Sequence, residues 1–312
     1  MKKVIIGLIA IVVVVYGFIL VKSNTISDKD NVAPYNPNNP TEEVVEEGDM
    51  KDESNIVLSD LNLDALSMGH YEGWLISGDK KVSTGKFNIG DSLNFSTDVD
   101  LSSVDKFAIT VETEGDTDII PSGIIVLVGD VVNGQSSSDL NFPIDLSISE
   151  GTYILGTPTD GNREDETSGV WFVSLPTVTK SLNLPDLPSG WIYEGWAVNQ
   201  SMPLTTGRFA DASADDLFNG FSGDKDPGPG FPGEDFIVNA PEGIEFPIDL
   251  ADGESLIVIS VEPELMGTDP TGPSPFSIKP LVAMIPANAG DHVNYDLGLN
   301  KDSLPTGVVT FK

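Results

Sequence analysis

Glu72 and Glu194 each stand inside an otherwise apolar run, in "YEGWLISGDKKVSTGKF" (71–87) and "YEGWAVNQSMPLTTGRF" (193–209). A carboxylate in that setting has three chemical uses: acid–base catalysis, metal ligation, or pairing with a base. The repeated spacing supplies a base each time, Lys86 and Arg208, and an aromatic beside the acid, Trp74 and Trp196. Other reactive chemistry is sparse. The chain has no cysteine, which excludes disulfides, thiolate zinc sites and cysteine nucleophiles. Its two histidines are His70 and His292. Ile192 stands in the second stretch where the first has His70, so His70 is expected to be a tolerated surface residue. His292 has no serine–acid arrangement nearby and is read the same way. A P-loop of the Gly-x-x-x-x-Gly-Lys-Ser/Thr kind, a nucleophile elbow and an EF-hand pattern are all absent from the sequence.

Acidic clusters occur at Asp98 and Asp100, at Asp116 and Asp118, over 160–166, and at Asp215 and Asp216. Loop carboxylates of this kind bind Ca²⁺ weakly in some extracellular modules. Solvated loops are the simpler reading, so no metal, cofactor or catalytic residue is assigned. Asn199-Gln200-Ser201 fits a glycosylation acceptor at a loop.

Folding each repeated stretch as a hairpin explains the acid–base spacing. Centred on Asp79, the first sets Glu72 opposite Lys86, Trp74 opposite Thr84 and Ile76 opposite Val82. Centred on Ser201, the second sets Glu194 opposite Arg208, Trp196 opposite Thr206 and Val198 opposite Leu204. Period two places each set on one face. A cross-strand ion pair disfavours register slips, and the tryptophan is expected to cover the stem of the base. Paired catalytic carboxylates need a defined separation around a substrate, which one glutamate per copy does not supply. Glu72, Lys86, Trp74, Glu194, Arg208 and Trp196 are therefore read as structural pairs.

The elements around them are short apolar runs bounded by Gly, Pro, Asp, Asn and Ser: "KFAITVE", "GIIVLVGD", "TYILGTP", "GVWFVSLP", "SLIVISVEP" and "IKPLVAMIP". Such runs are strand signals, and their spacing predicts an all-β fold of two tandem immunoglobulin-like sandwiches. The duplication is explicit. The Tyr-Glu-Gly-Trp and Thr-Gly-base-Phe pairs recur 122 residues on, from Glu72 to Glu194. Later strands recur at 150, so the second copy carries about 28 extra residues, and the insertion is placed at about 218–250. Phe-Pro-Ile-Asp-Leu, at 142–146 and again at 246–250, is a further echo.

Ahead of the repeats, Lys2 and Lys3 precede eighteen apolar residues, Val4 to Val21. At helical rise these span about 27 Å, enough for a bilayer core, with the lysines kept in the cytoplasm. A cleaved signal peptide is the rival, but the apolar run exceeds its usual length. Residues 22–54 are acidic, proline-punctuated and poor in apolar anchors, which predicts a disordered stalk. The formal charge of −33 argues against nucleic acid as a partner.

At Tyr71 to Leu75, Thr84 to Phe87 and Ala108 to Glu112, the chain resembles the extracytoplasmic C-terminal domain of anti-sigma-K-type factors. The matching stretches of the second copy are Tyr193 to Ala197, Thr206 to Phe209, Ser260 to Pro263 and Pro270 to Pro273. The resemblance implies a related outer β domain. It does not extend to sigma-factor binding, because only Met1, Lys2 and Lys3 precede the apolar segment.

These readings predict a cytoplasmic tip (1–3), a signal anchor (4–21), a stalk (22–54) and sandwiches at 55–180 and 181–312. The expected function is non-catalytic: binding or surface scaffolding outside a single-pass cell-membrane anchor, with an envelope protein or cell-wall glycan as partner. Phe218, Phe221 and Phe231 of the insertion are the expected contact surface. The alternatives are an outer sensory module of an anti-sigma-like system and a wall-polymer hydrolase working through carboxylates.

Overall fold

The computed structural model describes residues 54–312 apart from 133–134, 162–165, 266–269 and 271. The expected membrane anchor and most of the stalk lie outside the described residues. Within those residues no helix is long and apolar enough to cross a membrane.

The repeat that begins the described chain contributes β1 (Ser54–Ser59), β2 (His70–Ser77), β3 (Lys80–Phe87), β4 (Asn94–Thr97), β5 (Lys106–Glu112), β6 (Ile125–Asp130), β7 (Ser137–Asn141) and β8 (Glu150–Leu155). Next come β9 (Gly169–Trp171), β10 (Val173–Ser174), β11 (Thr179–Lys180) and β12 (Leu182–Asn183). The second copy continues with β13 (Trp191–Asn199), β14 (Met202–Phe209), β15 (Gly233–Asp235), β16 (Leu256–Pro263), β17 (Leu281–Met284), β18 (Tyr295–Leu299) and β19 (Thr306–Phe311). The fold is all-β, and each apolar run named above contributes a strand, with "GVWFVSLP" divided between β9 and β10. Helical structure among the described residues is confined to 3-10 turns of three residues.

Two large antiparallel sheets share one plan. The first runs β3-β2-β5-β6-β7-β19-β1-β4, and the second β14-β13-β16-β17-β18-β8-β9-β15, with β12 attached to β8. Read side by side, the two orders set β3, β2, β5, β6 and β7 of the first repeat against β14, β13, β16, β17 and β18 of the second. The sixth place breaks the separation. β19, the last strand of the second repeat, fills it in the first sheet, and β8, the last strand of the first repeat, fills it in the second. Each repeat thus lends its final strand to the other.

The sheets consequently do not divide at residue 180, where the sequence places a domain boundary. β8 and β9 precede that point yet belong to the second sheet, while the C-terminal strand completes the first. The reason is that a strand sits where its ladder partners are, whatever its place in the chain. β19 pairs with both β7 and β1, and β8 with both β18 and β9. Buried side chains of both repeats form one continuous apolar cluster. Between the repeats, the Trp191 indole packs edge-on to Phe142 (centroids 5.3 Å) and donates to the Ile125 carbonyl (3.2 Å).

Each sheet also curls so that its first and last strands meet. In the first, Phe87 of β3 packs against Phe95 of β4 with ring centroids 5.8 Å apart. In the second, β14 and β15 lie in contact. Both sheets are therefore barrel-like as well as layered.

Candidate functional site

The two repeated stretches form bulged hairpins, β2–β3 and β13–β14. Glu72 lies opposite Lys86 and Glu194 opposite Arg208, as the spacing predicts. Beyond the next pair, Gly73 with Gly85 and Gly195 with Gly207, the register shifts by one residue. Trp74 therefore faces Ser83, not Thr84, and Ile76 faces Lys81, not Val82. Trp196 likewise faces Thr205, not Thr206, and Val198 faces Pro203, not Leu204. Thr84 and Thr206 are the extra residues of two equivalent β-bulges.

The bulge accounts for the glycines in both motifs. A Cβ on Gly195 would fall 2.2 Å from Thr206 Oγ1 and 2.8 Å from the Phe172 ring. Gly207 has φ +112°, a conformation that strains any residue with a side chain. The motif aromatics pack on one another: Tyr71 on Phe87 (5.7 Å) and Tyr193 on Phe209 (5.9 Å). Burial raises both tyrosine pKa values above the usual phenol range, with help from Asp64 and Asp186 respectively. Each hydroxyl donates to a backbone carbonyl, of Asp64 (2.9 Å) and Pro185 (2.7 Å).

Both glutamates are buried, and each Oε1 accepts from a hydroxyl of the partner strand, Ser83 or Thr205. The bases then diverge. Arg208 Nε donates to Glu194 Oε2 at 2.7 Å, whereas the Lys86 ammonium turns away to the Asp116 carbonyl and, at 3.4 Å, its carboxylate. Glu72 Oε2 is left without a hydrogen bond, 4.0 Å from His70 Nε2, which also lacks one. The expected identical ion pairs are thus one ion pair and one cross-strand neighbour. The expectation of a surface histidine is corrected for His70, whose side chain is 17% exposed; His292, at 54%, lies at the surface beside Asp291. Burial, with the Lys86 charge second, holds His70 below the ordinary imidazole range.

The tryptophans serve a second network. Trp74 Nε1 donates to Thr110 Oγ1 and Trp196 Nε1 to Ser260 Oγ, both at 2.8 Å. Those hydroxyls donate in turn to Glu112 and Glu262. Burial raises both acids, Glu262 to about 7. These relays are missed by a reading of the sequence alone. Their signal is the hydroxyl-x-Glu spacing shared by "TVE" and "SVE". Asn199 is buried and donates to Ser255 Oγ (2.9 Å), so the acceptor asparagine of Asn-Gln-Ser is turned inward.

A different arrangement gathers around the insertion. A cavity of about 460 Å³ is lined by Trp171, Phe218 and Phe231 together with Asp215, Asp216, Asn219 and Asp226. Phe218 packs edge-on to Phe221 (5.0 Å), and Phe221 packs on to Phe246 (5.4 Å). Phe218 and Phe231 therefore reach the cavity, while Phe221 anchors the loop to the core.

Carboxylates brace the cavity wall. Asp216 accepts from the Phe218 amide (2.7 Å) through Oδ1 and from the Gly233 amide (2.9 Å) through Oδ2. Asp235 accepts from Trp171 Nε1 (2.8 Å) and from the Thr159 amide and hydroxyl (2.7 and 2.6 Å). Glu234, fully buried, accepts from Ser222 Oγ. Burial pushes Asp216 and Asp235 up to about 6 and Glu234, which Asp216 and Asp235 also oppose, up to about 8. Trp171, Glu234 and Asp235 are also missed from sequence alone. The adjacent acids of "GEDFIV" ahead of an apolar run are the signal available there.

The remaining acidic clusters have structural partners. Asp100 caps a 3-10 turn through the Ser102 amide, and Asp118 accepts from the Ile120 amide at 2.7 Å. Most of the 160–166 cluster lies outside the described residues. Compared with known proteins, the chain matches no protein-family model, no curated protein and no solved structure.

Proposed function

We propose that this protein is a non-catalytic binding module, two immunoglobulin-like sandwiches held outside the cell membrane by an N-terminal signal anchor, and that a cell-wall glycan is its ligand. One observation carries the reading: the cavity walled by Trp171, Phe218 and Phe231 and edged by Asp215, Asn219 and Asp226. Aromatic faces suit the apolar faces of sugar rings, and carboxylates and amides suit hydroxyls. The volume falls within the range usual for small-ligand sites. Asp216 of the wall accepts backbone hydrogen bonds through both oxygens, and Asp235 accepts from the lining residues Trp171 and Thr159, so these two carboxylates serve as braces. That use favours binding over hydrolysis.

Tryptophan fluorescence during titration with defined wall oligosaccharides tests the reading. Saturable quenching is expected, and Phe231→Ala should weaken it about tenfold, in keeping with a lost aromatic contact. Release of reducing ends from the same oligosaccharides would instead support a hydrolase. Absence of saturable binding to any wall fraction would remove the glycan.

A further inference from the structure

We propose that His70, Glu72 and Asp116 form a Zn²⁺ site peculiar to the first repeat. One ligand atom from each of the three lies within 4.8 Å of the others. An acidic cluster alone would prove little. Here, however, Glu72 is 2% exposed, and its Oε2 faces His70 Nε2 at 4.0 Å with neither atom hydrogen-bonded. At that separation the two cannot bond directly, yet a small cation between them would satisfy both. Zinc sits roughly 2.0–2.2 Å from nitrogen and oxygen ligands, so the pair needs to contract by less than an ångström.

The second repeat is a control built into the same chain. There Arg208 Nε occupies Glu194 Oε2 at 2.7 Å, and Ile192 stands where His70 would be. In the first repeat the shorter base is turned to Asp116, leaving the glutamate oxygen to a different cation. Lys86 is 38% exposed in its side chain and has solvent to swing into when Asp116 turns to the metal. One imidazole and two carboxylates suit Zn²⁺, with a fourth position for water; Ca²⁺ prefers oxygen throughout.

The experiment uses the full-length chain in detergent, stripped with a chelator and titrated calorimetrically with Zn²⁺. Millimolar Ca²⁺ is kept present to occupy weak loop carboxylates. One saturable site per chain is expected, of about micromolar dissociation constant or tighter. His70→Ile, which installs the second repeat's residue, should weaken it at least about tenfold without lowering the metal-free melting temperature. Lys86→Met, which removes the competing cation, should tighten it about tenfold. A Co²⁺ d–d absorption band lost in His70→Ile would report the imidazole directly. No saturable Zn²⁺ binding in the micromolar range would overturn the site, as would equal affinity in His70→Ile. Should that variant not fold, unchanged affinity in Lys86→Met would overturn it as well.

Discussion

At the scale of single residues, the structure separates acids by what surrounds them. Glu194 is neutralised by Arg208, whereas Glu234 is buried beside two further acids with one hydroxyl donor. Its folded-state pKa, about 8 against an ordinary 4.5, has a definite sign in stability. The folded protein holds the proton more tightly than the unfolded chain, so the contribution is full below about pH 4.5 and lost as pH rises through 8. Glu234→Gln keeps the neutral shape at every pH. At pH 9 it should be more stable than the parent by about 2 kcal/mol, the difference vanishing near pH 4. Thermal melts across that range check the prediction. A constant gap would mean that shape, not charge, sets the difference.

At the scale of elements, the bulged hairpin explains why two motifs thirteen residues apart recur together. Tyr and Phe form the ring pair, the glycines permit the bulge, and the threonine is the extra residue. Acid and base lie before the shift, so simple counting places them correctly. The tryptophan lies beyond it and is misplaced by one. Counting also cannot say where a flexible base points. A double-mutant cycle should separate the copies: Glu194→Gln with Arg208→Gln is expected to show a coupling of about 1 kcal/mol. Glu72→Gln with Lys86→Gln should show less than about 0.3 kcal/mol, since Lys86 bonds Asp116. Equal couplings from chemical denaturation would mean that Lys86 returns to Glu72 in solution.

At the scale of the whole molecule, reciprocal strand exchange makes the repeats depend on each other. Removing β19 would expose the facing edges of β1 and β7, each a row of unpaired backbone groups. Two independent tandem domains would melt separately, whereas this topology predicts one calorimetric transition. A chain ending at Leu304 should lose cooperative melting in both sheets, not in the second repeat alone. A preserved transition in that truncated chain would show that the repeats stand without the exchanged strand. The high negative charge acts at this scale too, because mutual repulsion of distributed carboxylates is relieved by salt.

The amino-acid order alone determined the all-β class, the duplication, and the facing of Glu72 with Lys86 and Glu194 with Arg208. Those features rest on local periodicity and on repeated spacing, which a linear chain carries in full. The tertiary structure decided which sheet receives β8 and β19, because strand pairing is set by partners distant along the chain. It also decided that Arg208 reaches its glutamate while Lys86 does not, and that Trp171 meets Phe218 and Phe231 around one cavity. Side-chain reach, burial and a single extra residue in a strand determine those outcomes, and each acts only once the sheets have closed.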